Sequence, residues 1–537
     1  MSFLLPKKII DASNNIKNVE NLFIEKDLQI GYSEKIFTSV ISKGHILLDF
    51  GKEVNGGVRI ISLDSVGNCF VRLRFGESVS EAMAEIGEKN ATNNHSTRDM
   101  VVELQPCSDM TFGQTGFRFL KIDFLGEDCN LQIKSITAST VIDERPFLGG
   151  FECDDKTLNT IFDTAAYTLR LCIQNGYFWD GIKRDRLVWI GDLYSEMKAA
   201  HCLFGSIPET NASLGFVKKY TPLPNWMSSI PSYSLWWIVD AHDEYFISGN
   251  DQFLYDNIEY LEGLVNLIDN CVDDNGTTHY PYDFIDWPTA ELENEDEARA
   301  KDRVTGMRYL TKIAIEKARN ILEHCGKDVS VCDGILSKLK KQTNCVIKHK
   351  QIAGIGVMAG DYSENNASLL LDGGANGLSI FMAYPILKAL CHFGKHDEAL
   401  KIAKEYYNGM LSVGATTFWE DFDIKWLENC YRIDEMPVAN KVDIHGDYGA
   451  YCYKGYRHSF CHGWSSSVAA YLIEEVAGIK VVEAGCKKIK ITPNLSWLNY
   501  VKAKFPTPYG VLTVEHKKVD GKIQTIIDCP NGVEIIK

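Results

Sequence analysis

The hydrophobic period of this chain changes twice, and those two changes constrain its fold more than any single motif. From about residue 40 to 142 the apolar residues alternate or form short runs broken by glycine. Val71, Leu73 and Phe75 fall on one face while Arg72 and Arg74 fall on the other, the period of a half-buried antiparallel strand. Similar runs at 45–50, 57–61 and 117–122, with turn signals between them, predict a β-sandwich. Near residue 150 the period becomes about 3.6, and helical stripes continue to about 478. Leu158, Ile161, Phe162, Ala165 and Leu169 form one stripe; Leu235, Ile238, Val239, His242 and Phe246 another. Later stripes pass through Leu310, Ala314 and Ile321, through Leu378, Phe381 and Met382, and through Leu400, Ala403 and Tyr407. After Gly478 the period returns to two, with strands expected at 488–491, 501–505 and 511–514.

The pattern predicts a multidomain α and β protein. An N-terminal β-sandwich is expected over 1–148 and a central (α/α)6 six-hairpin barrel over 149–480. A short C-terminal β-module over 481–537 would pack on the barrel or on the sandwich. A chain of 537 residues suits two or three domains. Its 45% apolar and 24% charged residues mark it as globular. The net charge of −16 argues against nucleic acid or an anionic membrane as the main partner. No apolar run approaches membrane-spanning length, and the N-terminal residues show no export signal. The sixteen cysteines contain no Cys-x-x-Cys pair, so reduced, mostly buried thiols and a cytoplasmic location are expected. Nothing in the sequence calls for a metal or a cofactor, and a homodimer is left open.

Chemistry concentrates between residues 179 and 192. Trp179, Asp180, Lys183, Arg184, Asp185, Arg186, Trp189 and Asp192 crowd one glycine-punctuated loop between two amphipathic helices. Asp192 is well placed to cap the second helix. One reading is an ion-paired helix connection in which Asp185 neutralises Arg184 or Arg186. The other is a sugar site, because flat apolar rings beside carboxylates suit the face of a sugar. Three further stretches place acids or a histidine beside aromatic rings: Asp286-Trp287-Pro288, Trp419-Glu420-Asp421 and His462-Gly463-Trp464. Separately, Asp286 reads as a turn former, Glu420 as a solvated acid and His462 as a helix-end hydrogen-bonder. His95, in the polar stretch 85–98, reads as a loop hydrogen-bonder. Together, many carboxylates and rings without a phosphate-binding glycine loop fit a neutral, hydroxyl-rich ligand. Glycoside hydrolysis needs two carboxyl groups in different protonation states.

In the order and spacing of these stretches, the sequence resembles the α-L-rhamnosidases of glycoside hydrolase family 78, in a compact form. The resemblance rests on the 180–192 loop with its Trp-x-Gly-Asp ending, on Gly414-Ala415-Thr416-Thr417-Phe418-Trp419-Glu420, and on His462. It also includes the 47–57 segment, Gly116-Phe117-Arg118-Phe119, and a C-terminal ending around 491–510. The resemblance implies an inverting, exo-acting removal of terminal α-L-rhamnose from small glycosides or oligosaccharides. In that scheme Asp185 is the general acid and Glu420 the general base. Asp180 and Asp192 grip sugar hydroxyls, Trp189 walls the pocket and His462 contacts the sugar. Arg184, Asp286, Trp287 and Trp419 are further substrate-binding candidates. The family usually has glutamate at the acid position, so Asp185 is one methylene short, and Arg184 and Arg186 flank it. That departure keeps two alternatives open: a six-hairpin glycosidase of different sugar specificity, and a catalytically weak sugar-binding homologue.

Overall fold

The computed structural model describes residues 2–31, 33–290, 296–342 and 346–536. Its N-terminal part is one antiparallel sheet of nine strands wrapped around a single core. The spine is the strand Gly44–Val66, which pairs with Ser108–Phe124 on one side and Asn130–Thr140 on the other. Its register against Ser108–Phe124 shifts between Asp49 and Val54 and again between Gly56 and Val58; such bulges bend a strand and increase its twist. Phe70–Gly76 and Asp99–Glu103 extend the sheet on one flank, Thr38–Ile41 and Ile16–Lys17 on the other. Alternate residues such as Ile46, Leu48, Val71, Leu73 and Ile122 are buried together inside it. This core is built from period-two sequence, as expected of a half-solvated antiparallel sheet.

Twelve α-helices follow among the described residues, from Lys156–Cys172 to Val468–Tyr471. The first starts where Asp155 Oδ1 accepts from the backbone N–H groups of Thr157 and Leu158. Their apolar faces merge into one large core with Trp236, Trp237, Tyr406 and Tyr407 fully buried. Two helical expectations differ from the structure. Leu378, Phe381 and Met382 are buried but lie in turns ahead of the helix Ala383–His392. The helix expected after His462 is a 3₁₀ turn (Gly463–Ser467), one α turn (Val468–Tyr471) and a π turn (Leu472–Val476). Changes of helical pitch of this kind accompany functional sites.

The C-terminal strands pack on the helical domain. Tyr500–Thr507 pairs with Gly150–Cys153, a strand that precedes the first helix, and with Gly510–Val519. Val501, Ala503, Phe505, Leu512 and Val514 belong to the same core as the helices. No described helix is long and apolar enough to cross a membrane. The fifteen cysteines among the described residues are all free thiols, and Cys345 lies outside them.

Candidate active site

The loop of residues 179–189 leaves the short hairpin Ile173–Gln174/Tyr177–Phe178 and enters the helix Ile190–Leu203. Asp180 closes the loop on itself: its N–H donates to Leu187 O (3.0 Å) and its Oδ1 accepts from Leu187 N (2.8 Å). At the apex Asp185 and Arg186 both adopt left-handed backbone, φ 56° and 57°. For residues with a Cβ this costs on the order of 1–3 kcal/mol each, and such strain collects at functional sites. Asp192 does not cap the helix. The N-cap is Trp189, and Asp192 is the third helical residue, its carboxylate 3.4 Å from the Tyr233 hydroxyl. A carboxylate inside the first turn still faces the positive end of the helix dipole.

The N-terminal sheet holds this loop from outside. Ser96 Oγ donates to Lys183 O (2.7 Å), and Arg186 Nη2 donates to Gln114 O (2.9 Å). A Cβ on Gly116 would fall 2.7 Å from Ile182 Cγ1 and 2.9 Å from Lys183 N, so the approach requires glycine there. The same sheet holds the segment that carries Glu420. Arg118 grips Asp49 through two bonds of 2.8 Å and donates a third (2.8 Å) to Gly414 O. Glu53 N donates to Thr416 Oγ1 (2.9 Å). Glu420 is then fixed by Ser459: its N–H donates to Ser459 O (2.9 Å), and Ser459 N donates to Glu420 Oε2 (3.1 Å).

The two segments meet at a cavity of about 290 Å³. Asp180, Arg184, Asp185, Trp189, Asp192, Trp287, Glu420 and His462 all line it. Arg184 donates to Glu420 Oε1 through Nη2 and lies 3.0 Å from Asp185 Oδ2 through Nη1. One planar guanidinium thus spans the two acids, which keeps their facing oxygens within about 8 Å. His462 Nε2 is 3.8 Å from carboxylate oxygens of Asp180, Asp192 and Glu420. Burial, reinforced by Arg184, holds its imidazole well below the ordinary histidine value, so it is neutral. Its Nδ1 is buried with no hydrogen-bond partner among the described residues. Burial and then the Asp192 charge push Asp180 well above the usual carboxylate range; burial and then Glu420 do the same to Asp192. Glu196, one turn further along the helix, is raised by burial too. A Cβ on Gly463 would fall 1.8 Å from its Oε1. The cavity therefore combines two buried acids, Asp180 and Asp192, pushed toward the protonated form that donates hydrogen bonds, with a pair of acids held on Arg184. Trp189, Tyr233, Tyr282, Phe284, Trp287 and Trp464 supply an apolar wall.

Two candidates lie behind that wall. Trp419 is fully buried and stacks on Phe460, ring centroids 3.9 Å apart, outside the cavity lining. Asp286 caps the 3₁₀ turn Trp287–Thr289, accepts from Ser379 Oγ, and is pushed up to about 7 by burial. Of the two, Asp286 supports the wall directly, its Oδ1 accepting from Trp287 N (2.8 Å). The structure adds residues that the sequence did not place in the site, His95 among them, which read there as a loop hydrogen-bonder. Tyr233, Cys452 and Arg457 line the cavity, and His95 Nε2 lies 3.3 Å from Asp185 Oδ1. None of these four stands near the loop in sequence, so no local pattern marked them.

Among the described residues, two trios have metal-ligand chemistry. Glu77, Glu81 and His445 surround Lys183, whose ammonium sits 2.9 Å from Glu77 and 3.2 Å from Glu81 and supplies the positive charge there. Cys391, His396 and Glu475 form the other, where Lys480 Nζ sits 2.7 Å from Glu475.

Residues 146–330 match the family model of the bacterial α-L-rhamnosidase six-hairpin glycosidase domain, and residues 478–536 match that of the bacterial α-L-rhamnosidase C-terminal domain. No curated protein matches the chain. Among solved structures, a GH78 family rhamnosidase of Bacillus sp. GL1 superposes with a TM-score of 0.75 at 18% identity, over 97% of this chain and 55% of that one. An α-L-rhamnosidase from Dictyoglumus thermophilum gives 0.70 at 18%, over 100% and 58%. A rhamnosidase from Klebsiella oxytoca with rhamnose bound gives 0.65 at 18%, over 88% and 95%. The chain spans little more than half the length of the first two. At these identities the superpositions establish the shared fold.

Proposed function

We propose, for a chain built from the six-hairpin and C-terminal domains of the bacterial α-L-rhamnosidases, an inverting, exo-acting glycoside hydrolase that removes terminal α-L-rhamnose from small glycosides. The observation that carries this reading is the convergence of Asp185 and Glu420, 235 positions apart in sequence, on one guanidinium at the edge of one cavity. Glu420 is the general base: Ser459 N and Arg184 hold its carboxylate in place to take a proton from the attacking water. Asp185 is the general acid that protonates the glycosidic oxygen as the C–O bond breaks. Asp180, Asp192 and His462 meet the sugar hydroxyls, and Trp189 and Trp287 lie against its apolar face. A cavity of about 290 Å³ suits a single terminal sugar, which favours exo-action. The free thiols suit a reducing, cytoplasmic setting.

The test is hydrolysis of 4-nitrophenyl α-L-rhamnoside, with the first-formed anomer followed by NMR. The expected product is the β-anomer. Release of the α-anomer first would overturn inversion. Turnover of a different aryl glycoside with none of the rhamnoside would reassign the sugar. Calorimetric binding of rhamnose with no turnover of any glycoside would leave a sugar-binding protein.

A further inference from the structure

The hydrolase reading requires a proton to return to Asp185 after each turnover, and the N-terminal sheet domain holds a group that can deliver it. In each inverting turnover the acid gives a proton to the departing oxygen and the base takes one from water. Before the next cycle Glu420 must release the proton it took to solvent, and Asp185 must regain one. Asp185 and Glu420 both lie on the single guanidinium of Arg184. The nearest further cation-capable group is His95, with Nε2 3.3 Å from Asp185 Oδ1, the oxygen that Arg184 leaves free. Arg186 turns away to Gln114 O, and Lys183 is engaged by Glu77 and Glu81. Arg457 adjoins Arg184, whose Nε donates to Arg457 O (3.1 Å), and its own Nε is engaged by Cys452 O (2.9 Å).

His95 is built into this position. Its backbone is left-handed, φ 69°, like that of Asp185 opposite. The next residue, Ser96, bonds Lys183 O, and Asn93 Oδ1 receives the N–H groups of Arg98 and Asp99. The His95 side chain keeps about 29% of its surface in solvent and that of Asp185 about 20%, so the imidazole is the more exposed of the two and lies between Asp185 Oδ1 and the N-terminal domain's loop.

We infer that His95, resting on the hydrolase reading above, is the residue through which Asp185 is reprotonated between turnovers. The imidazolium Nε2–H bond breaks and an Asp185 Oδ1–H bond forms. Asp185 then passes that proton to the glycosidic oxygen, and the neutral imidazole takes a new one from water. An imidazole can both give and take a proton near neutral pH, which a second guanidinium or ammonium cannot, so a histidine is the side chain suited to the task. His95 is thus a positioning and relay residue acting through Asp185, supplied by a domain outside the helical core.

The experiment compares wild type, His95→Gln and His95→Phe on α-L-rhamnosides with a good leaving group (2,4-dinitrophenyl) and a poor one (methyl). Both variants are expected to lose 10- to 100-fold in kcat on the methyl glycoside and less than threefold on the dinitrophenyl glycoside, whose departure needs little protonation. Added imidazole should restore part of the loss in His95→Phe. Equal losses on both substrates, or full activity of His95→Gln on the methyl glycoside, would overturn the relay. The hydrolase reading would fail in a different way, through a wild type that cleaves neither rhamnoside.

Discussion

The helix Ile190–Leu203 has carboxyl groups packed against both ends, and the two ends treat them in opposite ways. At its N-terminal end Asp192, Asp180 and Glu196 are buried, and burial first, then repulsion from neighbouring acidic groups, raises all three. At its C-terminal end the side chains of Tyr194, Lys198 and His201 line a second cavity of about 440 Å³. There Asp243 lies 2.7 Å from Lys198 Nζ and 2.6 Å from Lys317 Nζ, and Glu474 lies 2.6 Å from Lys388 Nζ. These lysines hold Asp243 and Glu474 below the ordinary range despite burial. One helix therefore separates acids left without cations, as a ligand site requires, from acids matched one by one, as a stable core requires. The unmatched end is the proposed catalytic end. Its carboxyl groups await a partner from outside the protein.

Removing a charge that the chemistry uses should have the largest effect. Glu420→Gln keeps the shape of the side chain but removes the base and, because the amide nitrogen cannot accept, one of the bonds from Arg184 and Ser459. Rhamnoside turnover should fall by about three orders of magnitude or more. Sugar affinity by calorimetry should change little. Turnover within tenfold of wild type would take Glu420 out of the mechanism and dissolve the contrast between the two ends.

The same Asp→Asn exchange at each end should then give opposite results. Asp243→Asn leaves the half-buried Lys198 and Lys317 without their counter-charge. Denaturant unfolding should show a loss of about 3 kcal/mol with near-normal kcat for the protein that remains folded. Asp192→Asn replaces a neutral acid with a neutral amide. Stability should hold within about 1 kcal/mol while turnover drops about 10- to 100-fold through lost contacts to the sugar. If Asp192→Asn proves the more destabilising, Asp192 is ionised and paired after all.

Proton linkage separates the ends more gently. Burial pushes Asp286 and Asp421, behind the catalytic cavity, up to about 7. An acid with a raised folded pKa holds its proton more tightly folded than unfolded. Its contribution is fully present below the unfolded value near 4 and fades as pH rises to about 7. Asp243 and Glu474 have lowered values, so what they contribute is present above about pH 4 and lost on further acidification. Chemical denaturation of the wild type should accordingly show stability falling between pH 4 and 7. Asp421→Asn should flatten that slope without altering the acid limb. An unchanged slope would show that Asp421 is solvated.

The sequence revealed the large divisions because period depends only on which face is buried. Alternation through Val71 and Phe75, and the 3.6-residue stripe through Leu158 and Leu169, survive whatever lies opposite. The site was legible where residues sit close together along the chain and harder where direction matters. Trp419 and Glu420 are neighbours outside any helix, and adjacent side chains on such backbone diverge; one enters the cavity and the other stacks on Phe460. Asp192 resembled a cap because caps and first-turn acids have the same composition; only the Trp189 backbone distinguishes them. His95 was invisible as a site residue because its partner is 90 positions away and in another domain. The Leu378, Phe381 and Met382 stripe has helical spacing, but turns bury apolar residues as well as helices do.

The smallest effect tests how alone Asp192 is. Its one side-chain donor is the Tyr233 hydroxyl at 3.4 Å, long for an O–H···O bond, and the Tyr233 ring meets Trp189 edge-on with centroids 6.0 Å apart. Tyr233→Phe keeps the ring contact and removes only the hydroxyl. A bond of that length contributes little, so stability should change by less than about 1 kcal/mol and kcat by less than about tenfold. KM for an aryl rhamnoside should move in step with kcat if Asp192 uses the hydroxyl to stay aimed at the sugar. A loss comparable to that of Asp192→Asn would mean that Tyr233 itself touches the substrate. The wall and the carboxyl groups of the catalytic end would then have to be treated as one unit, unlike the separately paired acids at the other end of the helix.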